Sequence, residues 1–367
     1  MRRTGKTSLL QWIAREIPST NKLFLDLENP LNQRYFEETD YEKVAASLRF
    51  LGLDMSQPAF LFLDEIQLCK PLPAVLKYLI DHYAIKCFLT GSASFYLKNL
   101  FSESLVGRKY IFELFPLDFE EFLRFKAPSL RLPPPGPMSH AVYDTLSPLY
   151  EEYLRFGGFP EVVMKNSLEE KKKSLDDIFT SYFQLEVLRF GGYRKNKVVR
   201  DLMTLLLERL GSKIDVSKLA VELGVTRVTI KDYLSFLEDT YFIKLIRPFS
   251  RSKDLEIRKM AKVYACDSGI ARHHSGASEG SLFENNIFQN LRMRSGVNFY
   301  QKKSGSEIDF ILDKKIAIEV KIRPTASDLK KLEAQSRTLK LDNYKIISKI
   351  FTEDLAENPH VDFPFWV

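Results

Sequence analysis

Cysteine is scarce. Cys69, Cys87 and Cys266 are the three in 367 residues, far apart and odd in number. They match no disulfide framework and no zinc-ligand spacing, which points to a reducing cytoplasm. No apolar run approaches the ~20 residues of a membrane helix, so no membrane partner is expected. The chain opens inside a motif, which leaves no visible signal peptide, and it shows no repeat of fixed period. A strong charge of either sign is also missing. The formal net charge of +6 permits nucleic-acid binding without demanding it. With 45% hydrophobic and 28% charged residues, the composition is that of a globular chain long enough for two or three domains.

What is present starts at the first residue. Met1-Arg2-Arg3-Thr4-Gly5-Lys6-Thr7-Ser8 fits the later part of a phosphate-binding loop, G-x-x-x-x-G-K-[ST]. Arg3, Thr4 and Gly5 would wrap the phosphates of ATP, with Gly5 allowing close backbone approach. Lys6 would reach the β- and γ-phosphates, Thr7 would place a hydroxyl on Mg²⁺, and Thr7-Ser8 would open a helix whose amides face the anion. Alone, so short a match reads equally as a surface turn. Downstream, Ala59-Phe60-Leu61-Phe62-Leu63-Asp64-Glu65 is a continuous apolar run ending in acids. It suits a buried parallel strand with its carboxyl end at a ligand. Asp64 would hold Mg²⁺ and Glu65 would orient and activate water. The run Lys86–Leu89 ends in Thr90-Gly91-Ser92. Thr90 or Ser92 could contact the γ-phosphate there, and Ser92 is taken as the catalytic candidate. A strand-to-helix cap explains the same residues. Arg108, after Gly107, could stabilise charge in cis or on a neighbouring subunit, so self-association is open. Strands alternating with helices give a doubly wound α/β domain.

With Arg-Arg-Thr-Gly-Lys-Thr, Leu-Asp-Glu-Ile-Gln, Leu-Thr-Gly-Ser and Gly-Arg in this order, the chain resembles a family of archaeal and bacterial AAA-type ATPases. Tyr153-Leu154-Arg155-Phe156-Gly157-Gly158-Phe159-Pro160-Glu161 is similar to the stretch between that family's two halves. The resemblance implies a P-loop NTPase domain followed by a winged helix and a PD-(D/E)xK restriction-endonuclease-like domain. It also implies a strand and a glycine before the loop. Met1 is therefore expected to be an internal methionine of a longer reading frame, or the gene to be truncated.

The later residues fit that plan. The proline-rich stretch from Ala127 to Pro137 reads as a loop at the edge of the ATPase domain. Helical periodicity from about 140 to 210 suggests a lid or connector. Asp215–Leu234 has a helix-turn-helix pattern around Gly224, with Arg227, Thr229, Lys231 and Tyr233 on or near the exposed face of the second helix. A basic stretch from Lys244 to Lys262 would be its wing. Double-stranded DNA is thus a candidate partner, although such modules also serve purely as packing.

Glu284, Asp309, Glu319 and Lys321 match the PD-(D/E)xK arrangement. Glu319 and Lys321 share one face of a strand. The acids would bind Mg²⁺ and Lys321 would position water; a polar sheet face without activity is the alternative. The expected domains are 1–130 (ATPase), 131–205 (loop and connector), 206–265 (winged helix) and 266–367 (endonuclease-like). The functional expectation is an Mg²⁺-dependent ATPase acting on or with DNA. The alternatives are a DNA-binding or DNA-cleaving protein with an inert P-loop, or a slow ATP-dependent switch for protein partners.

Overall fold

Three apolar runs form a parallel sheet in a computed structural model of the chain, which describes residues 2–91, 108–134, 136, 138–190, 196–250, 259–293, 296–302 and 305–366. Ser92 and the basic residues within 194–195 and 251–258 lie outside these. The chain divides into two compact units, Met1–Phe115 with Asp239–Tyr241, and Pro116–Glu238 with Phe242–Val367. No helix among the described residues is long and apolar enough to cross a membrane.

In the first unit, α1 (Lys6–Glu16), β1 (Lys22–Asp26), α2 (Pro30–Arg34), α3 (Tyr41–Phe50), β2 (Ala59–Asp64), α4 (Leu72–His82) and β3 (Ile85–Leu89) follow one another. The sheet order is β1-β2-β3. Its register sets Asp26 beside Asp64 and Leu63 beside Leu89. Side chains alternate across a strand. One face therefore sends Leu25, Leu61 and Leu63 into a core with Val44, Leu48, Val75 and Leu79 from α3 and α4. The other face carries a stack of Phe24, Phe62 and Phe88, with ring centroids 6.4 and 4.9 Å apart. The sheet is apolar on both sides, as a parallel sheet requires.

The second unit begins earlier than the sequence indicates, at Pro116 and not near residue 130. The reason is α5 (Phe119–Lys126), which is fixed by a capping box between Asp118 and Glu121. It buries Phe119, Phe122 and Leu123, and its aromatics pack on Tyr150, Tyr153 and Phe365. The proline-rich loop belongs to this unit too, since Trp366 donates its Nε1–H to the Pro133 carbonyl at 2.7 Å.

Helices α6 (His140–Phe156), α7 (Pro160–Val163), α8 (Leu168–Tyr182), a π-helical continuation (Phe183–Phe190) and α9 (Asn196–Glu208) come next. Then follow α10 (Val216–Glu222), α11 (Arg227–Asp239) and an antiparallel pair of β4 (Ile243–Ile246) with β5 (Lys262–Ala265). Arg227 and Lys231 are exposed on α11, but Tyr233 is buried. It shares the inner face with Ile230, Leu234 and Leu237, as the helical repeat from Ile230 dictates.

Helices α12 (Ser268–His274) and α13 (Glu279–Leu291) lead into β6 (Val297–Gln301), β7 (Glu307–Leu312), β8 (Ile316–Lys321), α14 (Ala326–Leu339), β9 (Asn343–Ser348), α15 (Glu353–Ala356) and β10 (Val361–Asp362). The sheet order is β10-β9-β8-β7-β6. The pairs β6–β7 and β7–β8 are antiparallel, while β8–β9 and β9–β10 are parallel.

The Arg-Phe-Gly-Gly-Phe-Pro stretch ties these elements together. Asp267, enclosed just before α12, accepts the backbone N–H of Gly158 at 2.8 Å and of Ile270 at 3.0 Å. A Cβ on Gly158 would collide with the Leu117 carbonyl, so only glycine allows that approach. Tyr150 on α6 donates to Asn286 on α13 at 2.7 Å. Helices α5–α13 and the five-stranded sheet thus lie largely in one unit. Gly158→Ala is expected to destabilise it by about 1–3 kcal/mol through overpacking, read as a lower urea midpoint with an unchanged slope.

Candidate functional site

The start of α1 is shaped for an anion. Gly5 has φ +93°, and the helix begins at Lys6 with no side-chain cap on its first turn. Free amides at a helix N-terminus attract negative charge. A Cβ built on Gly5 meets nothing within 4 Å, so the loop opens onto unfilled space. Arg3, Thr7 and Ser8 are exposed, Lys6 is half-buried and Thr4 is buried.

The carboxyl ends of β2 and β3 supply the acids. Asp64 is 3% exposed and accepts a hydrogen bond from the Thr90 hydroxyl. The Glu65 N–H lies 3.1 Å from Asp64 Oδ1 and 3.4 Å from Thr90 Oγ1. The Ile66 N–H donates to the Thr90 carbonyl at 3.0 Å. These bonds turn the chain sharply, and Glu65 sits at φ 55°, ψ 46°, an uncommon conformation for a residue with a Cβ. Its carboxylate accepts from Gln67 and lies 3.5 Å from Arg2, which also pairs with Glu28 at 3.2 Å. Burial raises the Glu65 pKa, against opposing pulls from Arg2, Gln67 and Lys6.

The residues fit a nucleoside triphosphate with its divalent cation: uncapped amides and Lys6 for phosphate, buried Asp64 for the cation's shell, Glu65 for water. Thr90 is the hydroxyl that the structure brings to this cluster; Ser92, favoured from sequence, lies outside the described residues. Arg2 and Gln67 were missed, because loop arginines and post-strand glutamines carry no distinctive pattern. Arg108 is not gathered here. Its guanidinium pairs with Asp81 near the end of α4, toward the amino end of β3 and so at the opposite sheet edge.

A second polar cluster lies in the other unit. The Val320 N–H donates to Asp309 Oδ2 at 2.8 Å. Lys321 Nζ is 2.8 Å from Glu319 Oε1, as their shared strand face predicts. The other Glu319 oxygen is buried with no hydrogen-bond partner. Glu284 departs from expectation. It accepts from the Tyr264 hydroxyl at 2.6 Å and from Lys262 at 3.3 Å, and Lys262 also pairs with Glu307. Burial, then repulsion from Asp309, pushes Glu284 and Glu319 each up to about 7. Burial would lower the Lys262 pKa, but Glu284, Asp309 and Glu307 raise it overall.

The oxygens of Glu284, Asp309 and Glu319 do not all come within 4.8 Å of one another. Two ammonium groups already neutralise much of their charge. The arrangement therefore does not fit the three-acid Mg²⁺ site expected from sequence. The physical reason is Lys262, a buried cation on β5 that only the fold delivers.

Three family models match parts of the chain. Residues 1–123 match the AAA domain family, which with the parallel sheet makes the first unit a P-loop NTPase-type α/β fold. Residues 147–281 match a domain of unknown function (DUF8612), and residues 279–361 another (DUF4143). The chain is similar to Uncharacterized protein MJ1544 of Methanocaldococcus jannaschii, 28% identical over 100% of this chain and 86% of that protein. An uncharacterized protein of Haemophilus influenzae is 27% identical over 86% of this chain and 78% of its own length. Uncharacterized protein Rv2008c of Mycobacterium tuberculosis is 24% identical over 78% of this chain and 57% of its own.

The raised carboxylates make a signed prediction. A carboxyl whose folded pKa exceeds its unfolded value contributes stability below the unfolded pKa and loses it as pH rises through the folded one. For Glu319 that window runs from its ordinary value of 4.5 to about 7. The thermal midpoint of Glu319→Gln, minus that of the parent, should rise across this window and level off above it. A difference independent of pH would contradict the assignment.

Proposed function

We propose that the chain is an Mg²⁺-dependent ATP-binding and ATP-hydrolysing enzyme. The observation that carries this reading is the hydrogen-bonded Asp64–Thr90–Glu65 group in the same unit as the uncapped Gly5–Lys6 helix start. Gly5 and the first amides of α1 would bind phosphate oxygens, and Lys6 and Thr7 would add a cation and a hydroxyl. Asp64 would hold the hydrated Mg²⁺, which supplies charge neutralisation when bound. Glu65 would orient the attacking water and accept its proton. To do so it exchanges Gln67 and Arg2 for that water. Thr90 fixes Asp64 and the turn that aims Glu65. Arg108 has no part in the chemistry within one chain; a role across a self-associated assembly would require it to leave Asp81.

We further read α10, α11 and the β4–β5 pair as a winged helix, and the five-stranded sheet with α13 and α14 as restriction-endonuclease-like. Double-stranded DNA is the proposed partner. The supporting observation is that Arg227 and Lys231 are exposed on α11, Arg227 at a groove of about 680 Å³ that Ala220, Gly224, Thr226 and Tyr233 also line. Cleavage of DNA is not part of this proposal, because the Glu284 carboxylate is engaged by Lys262 and Tyr264.

The test is ATP turnover with Mg²⁺, with and without duplex DNA. Lys6→Ala should abolish it. Glu65→Gln should lower kcat by about 100-fold or more, the range of a lost general base, while ATP still binds. Turnover that is indifferent to Lys6→Ala would sink the reading. Arg227→Ala with Lys231→Ala should weaken duplex binding and flatten its salt dependence.

A further inference from the structure

We infer that Asp176, His273 and His274 form a binding site for a divalent transition-metal ion of the zinc class. Asp176 lies on α8 and the two histidines end α12. One carboxylate oxygen and two ring nitrogens all lie within 4.8 Å of one another, the one such group of three among the described residues. His273 Nε2 is 3.0 Å from Asp176 Oδ1, and His274 Nε2 is 3.8 Å from the same oxygen. Donors bound to tetrahedral zinc at about 2.0–2.2 Å stand roughly 3.3–3.6 Å apart. Small side-chain shifts therefore convert the pairing into a chelate.

A second observation separates this group from an ordinary ion pair. The Nε2 of His274 is buried and has no hydrogen-bond partner. The ring is stacked on Phe179, with centroids 4.1 Å apart, which holds its plane beside Asp176 and leaves Nε2 available to a metal.

The donor chemistry selects the ion. Two imidazoles and one carboxylate suit Zn²⁺ and its neighbours, whereas Mg²⁺ and Ca²⁺ prefer all-oxygen shells. Arg200 also acts on His274 and disfavours a site held by charge alone. Asp176 is 58% exposed on its side chain, which leaves a fourth position for water. The ion would sit where the last carbonyls of α12 favour positive charge, and it would brace α8 against that helix. Sequence spacing hides the site: the ligands lie 97 residues apart for the His273–Asp176 pair, and no cysteine takes part.

The test is titration of the metal-stripped full chain with Co²⁺, followed by visible absorption, and with Zn²⁺, followed by calorimetry. One ion per chain with tetrahedral cobalt bands is expected. Asp176→Asn, which changes an exposed group, and His274→Ala should each weaken binding by more than about 100-fold, beyond the effect of losing a supporting partner. Circular dichroism without metal should show both variants folded. His140→Ala is the control, because the exposed His140–Asp144 pair at 2.8 Å is an obvious place for casual binding. Absence of uptake, affinity unchanged in Asp176→Asn and His274→Ala, or affinity lost only in His140→Ala would each overturn the inference.

Discussion

A carboxylate shut away from water has to be answered by donors, and Asp267 organises the larger unit by meeting that demand. It is buried and takes backbone N–H groups from Gly158 and Ile270. Burial pushes its pKa up to about 6, and those N–H groups oppose the rise. The same oxygens cap α12 and fix the turn that ends α6. Because Gly157 and Gly158 must lie against Asp267 and Leu117, the end of α6, the start of α12 and the chain before α5 cannot be placed independently. The aromatic cluster of Phe119, Tyr150, Tyr153 and Phe365 fills in around that junction.

In the smaller unit the decisive constraint is backbone strain of the kind found at working sites. Glu65 occupies a left-handed conformation immediately after a strand buried on both faces. Hydrogen bonds from both strand ends over-determine it. Its carboxylate is neither free in solvent nor locked in the core. It is held by Arg2 and Gln67, partners that a water molecule can replace.

Legibility from sequence followed the range of the interaction concerned. Asp64 and Glu65 were readable because a continuous apolar run ending in acids has few other meanings. Glu319 and Lys321 were readable because strand periodicity puts them on one face. Tyr233 was misplaced although the helical repeat, counted from Ile230, turns it inward. Lys262 and Tyr264 could not be found, since nothing local marks a basic residue in a short strand as buried; only β5 packing beside α13 makes Lys262 the partner of Glu284. The boundary near Pro116 was missed for a related reason. The proline-rich stretch after α5 looks like a domain edge, yet α5 is bound to α6 by aromatic contacts that chain order conceals. Thr90 and Ser92 were equivalent as letters, and the register of β3 beside β2 is what carries Thr90 to Asp64.

Helix α13 places Asn285 and Gln289 on one face, so that Asn285 accepts the Ala265 N–H at 2.7 Å and Gln289 donates to the Ala265 carbonyl. Farther along the same strand, Gly211, Ser212 and Ile214 engage the carbonyl of Val263, the N–H of Val263 and the carbonyl of Ala261. Side-chain amides and a loop thus occupy the places a third strand would fill. A two-stranded ribbon ordinarily offers its outer edge to any passing extended segment. Here the β5 edge is taken from Ala261 to Ala265, so that side of the ribbon is closed to strand exchange and to growth into a larger sheet.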